Sequence, residues 1–194
     1  MTVVQYIYIN GYPSVGKLTV AKELQKLFPG SQVLDFNTMI NMVPPTDPVD
    51  SPNYIANRTR VRSQFLDAAA NLDYTQRLTW IFTDVHYADA AGQQGAKDYQ
   101  KAAHTRGIQF WPVVLECETE ENVLRLGDKE ADWKATVGET AEGLRRIREE
   151  KRVYSFGAGD EEELRIDITE MMPDEAARRI FEHINKVGSG EQSQ

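Results

Sequence analysis

Residues 3–9, VVQYIYI, are β-branched and aromatic and predict a buried first strand. The period then changes. In LTVAKELQKLF, Leu18, Ala21, Leu24 and Leu27 or Phe28 recur at helical spacing, and Pro29-Gly30 stops the run. Short apolar runs at 31–36 (SQVLDF), 78–84 (LTWIFTD), 109–117 (QFWPVVLEC) and 164–169 (LRIDIT) predict four more strands. Pro112 is awkward in a central strand, so the fourth strand is expected to pair only after it. Helical patterns separate the strands. One runs from the cap Ser51 and first-turn Pro52 to about Leu72, after the proline-dense loop NMVPPTDPVDSP. One runs from about Asp89 to Thr105, weakened by Gly92 and Gly95. TEENVLRL is capped by Thr119, with Glu120 and Glu121 where the helix dipole favours them. A basic helix spans EGLRRIREEKRVYSF after the polar stretch GDKEADWKATVGET, and PDEAARRIFEHINKV is striped by Ala176, Ile180, Ile184 and Val187.

Strands alternating with helices imply an α/β fold, a parallel sheet covered on both faces. A chain of 194 residues suits one domain, expected over 1–187, with GSGEQSQ at 188–194 as a flexible tail. The net charge of −8 argues against an extended nucleic-acid surface and leaves room for a local basic pocket. One cysteine, Cys117, excludes an intramolecular disulfide. No apolar run approaches the ~18 residues of a membrane span, and no basic-then-apolar leader precedes the first strand, so a cytoplasmic protein is expected. The oligomeric state is left open.

Between the first strand and first helix lies NGYPSVGKLTVAKEL, residues 10–24. Gly11, Gly16 and Lys17 fit the phosphate-loop pattern G-x-x-x-x-G-K-[ST], but Leu18 stands where the hydroxyl belongs and Thr19 follows one step later. Consecutive N–H groups at a helix N-terminus cradle anions, and the lysine reaches the outer phosphates. The other reading is an ordinary strand-to-helix turn with a solvated lysine. Leu18 cannot ligate Mg²⁺, but the ion commonly keeps several waters and can be held by phosphate oxygens and one carboxylate. GYPSVGKLT resembles the G-x-P-x-x-G-K-x-T loop of adenylate-kinase-like nucleotide kinases. More broadly the chain resembles small P-loop kinases, including shikimate and chloramphenicol phosphotransferases, and within them a set with a G-K-[LM]-T loop. The resemblance implies a three-layer P-loop NTPase sandwich with a five-stranded parallel sheet in the order 2-3-1-4-5. It implies ATP and Mg²⁺ as the bound species, surrounded by Gly11, Pro13, Ser14, Val15, Gly16, Lys17, Leu18 and Thr19.

Ligands in open α/β sheets sit beyond the carboxyl ends of the strands. Asp84, at the end of LTWIFTD, is placed to hold Mg²⁺ directly or through water, with Thr19 as the nearby hydroxyl; otherwise Asp84 is a cap or loop acid. Asp35 ends SQVLD, where the resembled kinases use an aspartate to orient or deprotonate the acceptor; otherwise it is a turn residue beside Asn37. His86 is a weaker candidate. On the second helix, Tyr54, Val61, Phe65, Ala68 and Leu72 predict the buried stripe, with Arg58 within it, Arg62 at its flank and Arg60 outside. The resemblance gives Arg58 the role of gripping an anionic group on the acceptor; the alternative is a structural ion pair. It also implies a lid, about 127–152, delivering arginines to the transferring phosphoryl group. The candidates are Arg145 and Arg146, with Arg148, Lys151, Arg152 and the preceding Arg125 behind them. Their i,i+4 spacing to Glu142, Glu149 and Glu150 equally describes a solvated, ion-paired face.

Two functions follow. One is a kinase moving the γ-phosphoryl group of ATP to a small molecule. The other is a non-catalytic nucleotide-binding module, motivated by Leu18. A GTPase is disfavoured because no N-K-x-D base-reading motif is present.

Overall fold

The tyrosines and isoleucines of YIYI separate onto two faces, and that separation organises the molecule. The computed structural model describes residues 4–36, 52–72, 74–75, 77–127, 140–157 and 163–190. Strand β1, Gln5–Gly11, is buried along its whole length. Its neighbours are β2 (Gln32–Asp35), β3 (Trp80–Thr83), β4 (Gln109–Glu116) and β5 (Leu164–Asp167). All pair in parallel, in the order β2-β3-β1-β4-β5.

Successive strand residues point to opposite faces. Ile7, Ile9, Ile81, Val113 and Leu115 therefore meet α1 (Lys17–Leu27) and the last helix, α6 (Pro173–Gly188). Tyr6, Tyr8, Phe82 and Phe110 meet α2 (Pro52–Asn71) and α3 (Ala90–Arg106). Each large apolar side chain so buried contributes roughly 1.5–3 kcal/mol before entropy is charged against it. Two shorter helices, α4 (Thr119–Leu126) and α5 (Ala141–Glu150), pack together between β4 and β5.

Several expectations are corrected. β4 pairs with β1 from Gln109 to Leu115, straight through Pro112, whereas β5 joins only at Val113. The buried residues of α2 are Arg62, Leu66, Ala69 and Ala70, a stripe turned about one residue from the predicted one, and Leu72 is exposed. The basic helix ends at Glu150. Residues 151–156 run extended because they pair across the molecule: Tyr87 bridges Val153, the Ala88 N–H donates to the Arg152 carbonyl, and the Tyr154 N–H donates to the His86 carbonyl. Thr119 does not cap α4; its hydroxyl accepts from Arg148. Gly188 belongs to α6 rather than to the tail. Gly92 and Gly95 do not weaken α3, which Asp89 caps by accepting from the Gly92 N–H at 2.8 Å. A Cβ at Gly92 would lie 2.1 Å from the Tyr87 carbonyl, and one at Gly95 would lie 2.3 Å from His86 Nε2. The glycines let α3 lie against the chain leaving β3.

The expected cap Ser51, most of the proline-dense loop and residues 128–139 of the lid segment lie outside the described residues. No helix among the described residues is long and apolar enough to cross a membrane.

Candidate functional site

Four strands deliver their carboxyl ends to one cleft of about 1230 Å³. At one end stands the glycine loop. Gly11 is required by close approach, because a Cβ there would sit 2.7 Å from the Leu115 carbonyl oxygen. Gly16 has φ 114° and precedes α1, a conformation that favours glycine. Ser14, with φ 59°, is the only non-glycine at positive φ among the described residues. Such a conformation costs on the order of 1–3 kcal/mol and persists only where its surroundings impose it.

The surroundings do impose it, from helices α4 and α5. Asn122, fully buried, donates to the Pro13 carbonyl at 3.0 Å, and Arg125 donates to the Val15 carbonyl at 3.0 Å. The residues on both sides of Ser14 are therefore pinned. Arg125 also donates to the Ile168 carbonyl at 2.6 Å and the Thr169 carbonyl at 3.0 Å. Arg148 holds Asn122 in turn, donating to its Oδ1 at 2.9 Å, to Thr119 Oγ1 at 3.0 Å and to the Cys117 carbonyl at 2.6 Å. Its guanidinium lies 4.4 Å from the centroid of the Tyr12 ring, and Tyr12 donates its hydroxyl to the Lys151 carbonyl. The first turn of α1 has no helical partners for its N–H groups, as at any helix start. Held in this shape, the loop presents an anion cradle.

Lys17 Nζ donates to the Gly11 carbonyl at 2.9 Å and the Tyr12 carbonyl at 2.8 Å. It is buried, and burial brings its pKa down to about 8, against the opposing pull of Asp84 and Asp35. A desolvated ammonium near two carboxylates is poised for a more negative ligand. Pro13, Ser14, Val15, Gly16, Leu18 and Thr19 line the cleft beside it, while Gly11 shapes the loop from behind.

The other end of the cleft is a network of paired charges. Asp84 is wholly buried. Its Oδ1 accepts from Arg58 at 3.0 Å and from the Val85 N–H at 2.8 Å, and its Oδ2 accepts from the Tyr99 hydroxyl at 3.0 Å. Burial alone would raise its pKa; His86, the two arginines and the Val85 N–H outweigh that and hold it below the usual carboxylate range. Arg58 sits at the rim, its guanidinium 5.2 Å from the Phe36 ring centroid, and Asp84 keeps it charged against the cost of burial. Arg62, expected at the flank, is the more buried of the two. It approaches Asp98 at 3.4 Å and His86 Nε2 at 3.1 Å, and its Nε has no partner among the described residues. His86 contacts the Tyr8 hydroxyl through Nδ1 at 2.7 Å, and burial lowers its pKa to about 4, so the ring is neutral. Asp35 lines the cleft and accepts from the Thr83 hydroxyl at 2.6 Å.

Of the lid arginines, Arg146 lines the cleft with Ile147, Glu150 and Lys151. Arg145 does not; it makes a two-pronged pair with Glu120 at 2.9 and 2.7 Å. Arg125 and Arg148 are occupied as described.

Asn10 had no place in the sequence reading. It is fully buried; its amide donates to the His86 and Tyr154 carbonyls, and its Oδ1 accepts from the Gly11 and His86 N–H groups. It joins the start of the glycine loop to the Asp84 end and to the chain after α5. Asn122 and Tyr99 were missed too. The one signal available was a polar Asn ending an otherwise apolar strand.

No protein-family model matches the chain, and no curated protein sequence does. Solved structures do match. A shikimate kinase from Acinetobacter baumannii in complex with shikimate shares 15% identity over 100% of this chain and 97% of its own, with a TM-score of 0.59. A gluconokinase from Sinorhizobium meliloti shares 14% identity over 100% of both chains, with a TM-score of 0.58. A thymidylate kinase from Candida albicans shares 13% over 96% of this chain and 93% of its own, with a TM-score of 0.59. The fold is thus that of the P-loop kinases, with the strand order expected of them.

Proposed function

We propose that the protein is an ATP-dependent phosphotransferase acting on a hydroxyl group of a small molecule. One observation carries the reading: a clamped phosphate loop with its lysine and a strand-end carboxylate, Asp35, open onto one cleft. In this reading the loop amides and Lys17 hold the triphosphate, Asp35 orients the acceptor hydroxyl and takes its proton, and Arg146 neutralises charge that develops on the transferred group. Asp84 fixes Arg58.

Mg²⁺ fits this site as an ion carried by the nucleotide. The described residues contain no cluster of three or more His, Cys, Asp or Glu able to hold a metal alone. Thr19, exposed at the start of α1, would contact the ion or its water, and Asp84, whose two oxygens already accept protein donors, would act through water. When bound, the ion neutralises phosphate charge. Location in the cytoplasm is part of the same proposal.

The engagement of Asp84 and the absence of a hydroxyl at Leu18 favour a second reading, a nucleotide sensor without catalysis. Asp35→Asn and Asp84→Asn separate the two. In a phosphotransferase, both retain ATP binding and lose transfer of labelled γ-phosphate to components of a metabolite extract. A wild-type protein that binds ATP and labels nothing is a sensor.

A further inference from the structure

Arg148, on α5, does not line the cleft, yet it reaches the glycine loop by two routes. The first runs through Asn122, whose Oδ1 accepts from Arg148 at 2.9 Å and whose amide donates to the Pro13 carbonyl at 3.0 Å. The second is direct: the Arg148 guanidinium lies 4.4 Å from the centroid of the Tyr12 ring. The Tyr12 carbonyl in turn accepts from Lys17 Nζ at 2.8 Å. Arg148 is itself anchored at the start of α4, by Thr119 Oγ1 at 3.0 Å and the Cys117 carbonyl at 2.6 Å. One side chain thus ties α5 to α4, to the two residues before Ser14 and, through Tyr12, to Lys17.

The backbone gives this tie a task. Ser14 sits at φ 59°, a region unfavourable to residues with a side chain. A loop free to leave that shape would be competent for only part of the time, and its apparent affinity for a ligand would fall by that fraction. Glycine would hold the same φ without the cost. This chain has serine and a clamp instead. Arg125 pins the far side of Ser14 at the Val15 carbonyl, and Arg148 governs the near side. The seat of α5 does not rest on Arg148 alone: Leu144 is fully buried, Thr140 accepts from the Gly143 N–H at 3.1 Å, and Val153 bridges Tyr87.

We propose that Arg148 is a positioning residue, which sets the affinity for a triphosphate by holding Ser14 left-handed and the Tyr12 carbonyl at Lys17. It acts through the shape of the loop and not through its charge on the phosphates. The proposal rests on the nucleotide-binding reading of that loop.

Calorimetry of the full chain with ATP and Mg²⁺ compares the parent with Arg148→Met, Arg148→Lys, Ser14→Gly and the double variant Arg148→Met with Ser14→Gly. Urea transitions establish that each is folded, and the lysine variant carries the comparison if methionine prevents folding. Both Arg148 variants are expected to bind ATP about tenfold more weakly. Lysine fails with methionine because it keeps the charge but cannot fork to Asn122, Thr119 and the Cys117 carbonyl together. Ser14→Gly alone is expected to shift affinity by less than about threefold, and in the double variant to recover most of the loss, because glycine needs no clamp at that φ. Parental ATP affinity in either Arg148 variant, or a double variant no better than Arg148→Met, overturns the positioning role and leaves the phosphate-loop reading standing. A parent that binds no ATP overturns both.

Discussion

The two ends of the cleft are built on opposite plans. At the phosphate-loop end, the groups that face a ligand are main-chain amides from one short run of sequence. Arg125 and Arg148 grip carbonyls that hold the loop in shape, Arg125 lining the cleft as it does so. At the acceptor end, the groups are side chains from β2, α2 and the chain after β3, and both arginines there pair with carboxylates of the protein. The first end holds a desolvated ammonium that a ligand would satisfy. The second has satisfied itself on folding. Removing a charge should therefore damage binding at one end and stability at the other.

The largest effect is expected at Asp84. Asp84→Ala leaves Arg58 and the Tyr99 hydroxyl without their acceptor and should lower unfolding free energy by about 3–5 kcal/mol in urea titrations. Lys17→Met, at the other end, should lose none.

Next comes pH. The imidazole of His86 titrates near pH 4 when folded and at its ordinary value of 6.5 when unfolded. Between those values the unfolded chain binds more protons, so stability is full above pH 6.5 and is lost as pH falls towards 4. Unfolding free energies from urea titrations at pH 7 and pH 4.5 should differ by about 2–3 kcal/mol, and His86→Gln should remove most of the difference. The Asp84 carboxyl, held low, adds its own loss only at still lower pH.

A smaller loss, about 1–3 kcal/mol, is expected for Asn122→Leu, which strips the Pro13 carbonyl and one Arg148 nitrogen of their partner. Because this loosens the loop, ATP affinity should fall while adenosine affinity holds. Smallest of all, Arg145→Ala should change neither stability nor transfer of labelled phosphate, because its pair with Glu120 is exposed. Arg146→Ala should slow transfer with ATP affinity nearly intact.

What sequence could show differs between the ends for a physical reason. The loop is a local device: Gly11, Gly16 and Lys17 carry its geometry within a few residues, and strand and helix periods fix where it lies. The sheet order was foreseen from the likeness of GYPSVGKLT to P-loop kinases. The acceptor end depends on pairs 26 and 36 residues apart in the chain, such as Arg58 with Asp84 and Arg62 with Asp98. No local pattern encodes them. A stripe turned by one residue on α2 was enough to exchange the burial of Arg58 and Arg62. Residues 151–156 kept a helical look in sequence, and only their bridge to Tyr87 made them extended.

The most direct test is calorimetric titration of the folded protein with ATP and Mg²⁺ across pH, beside Lys17→Met. An ammonium that titrates near pH 8 when alone and is held charged by phosphates must take up a proton on binding above that pH. Affinity should be flat below pH 8 and then fall by up to about tenfold per unit, while Lys17→Met binds at least tenfold more weakly with no break. If neither ATP nor GTP gives a binding signal, or if the methionine variant binds as well as the parent, the phosphate-loop account is wrong.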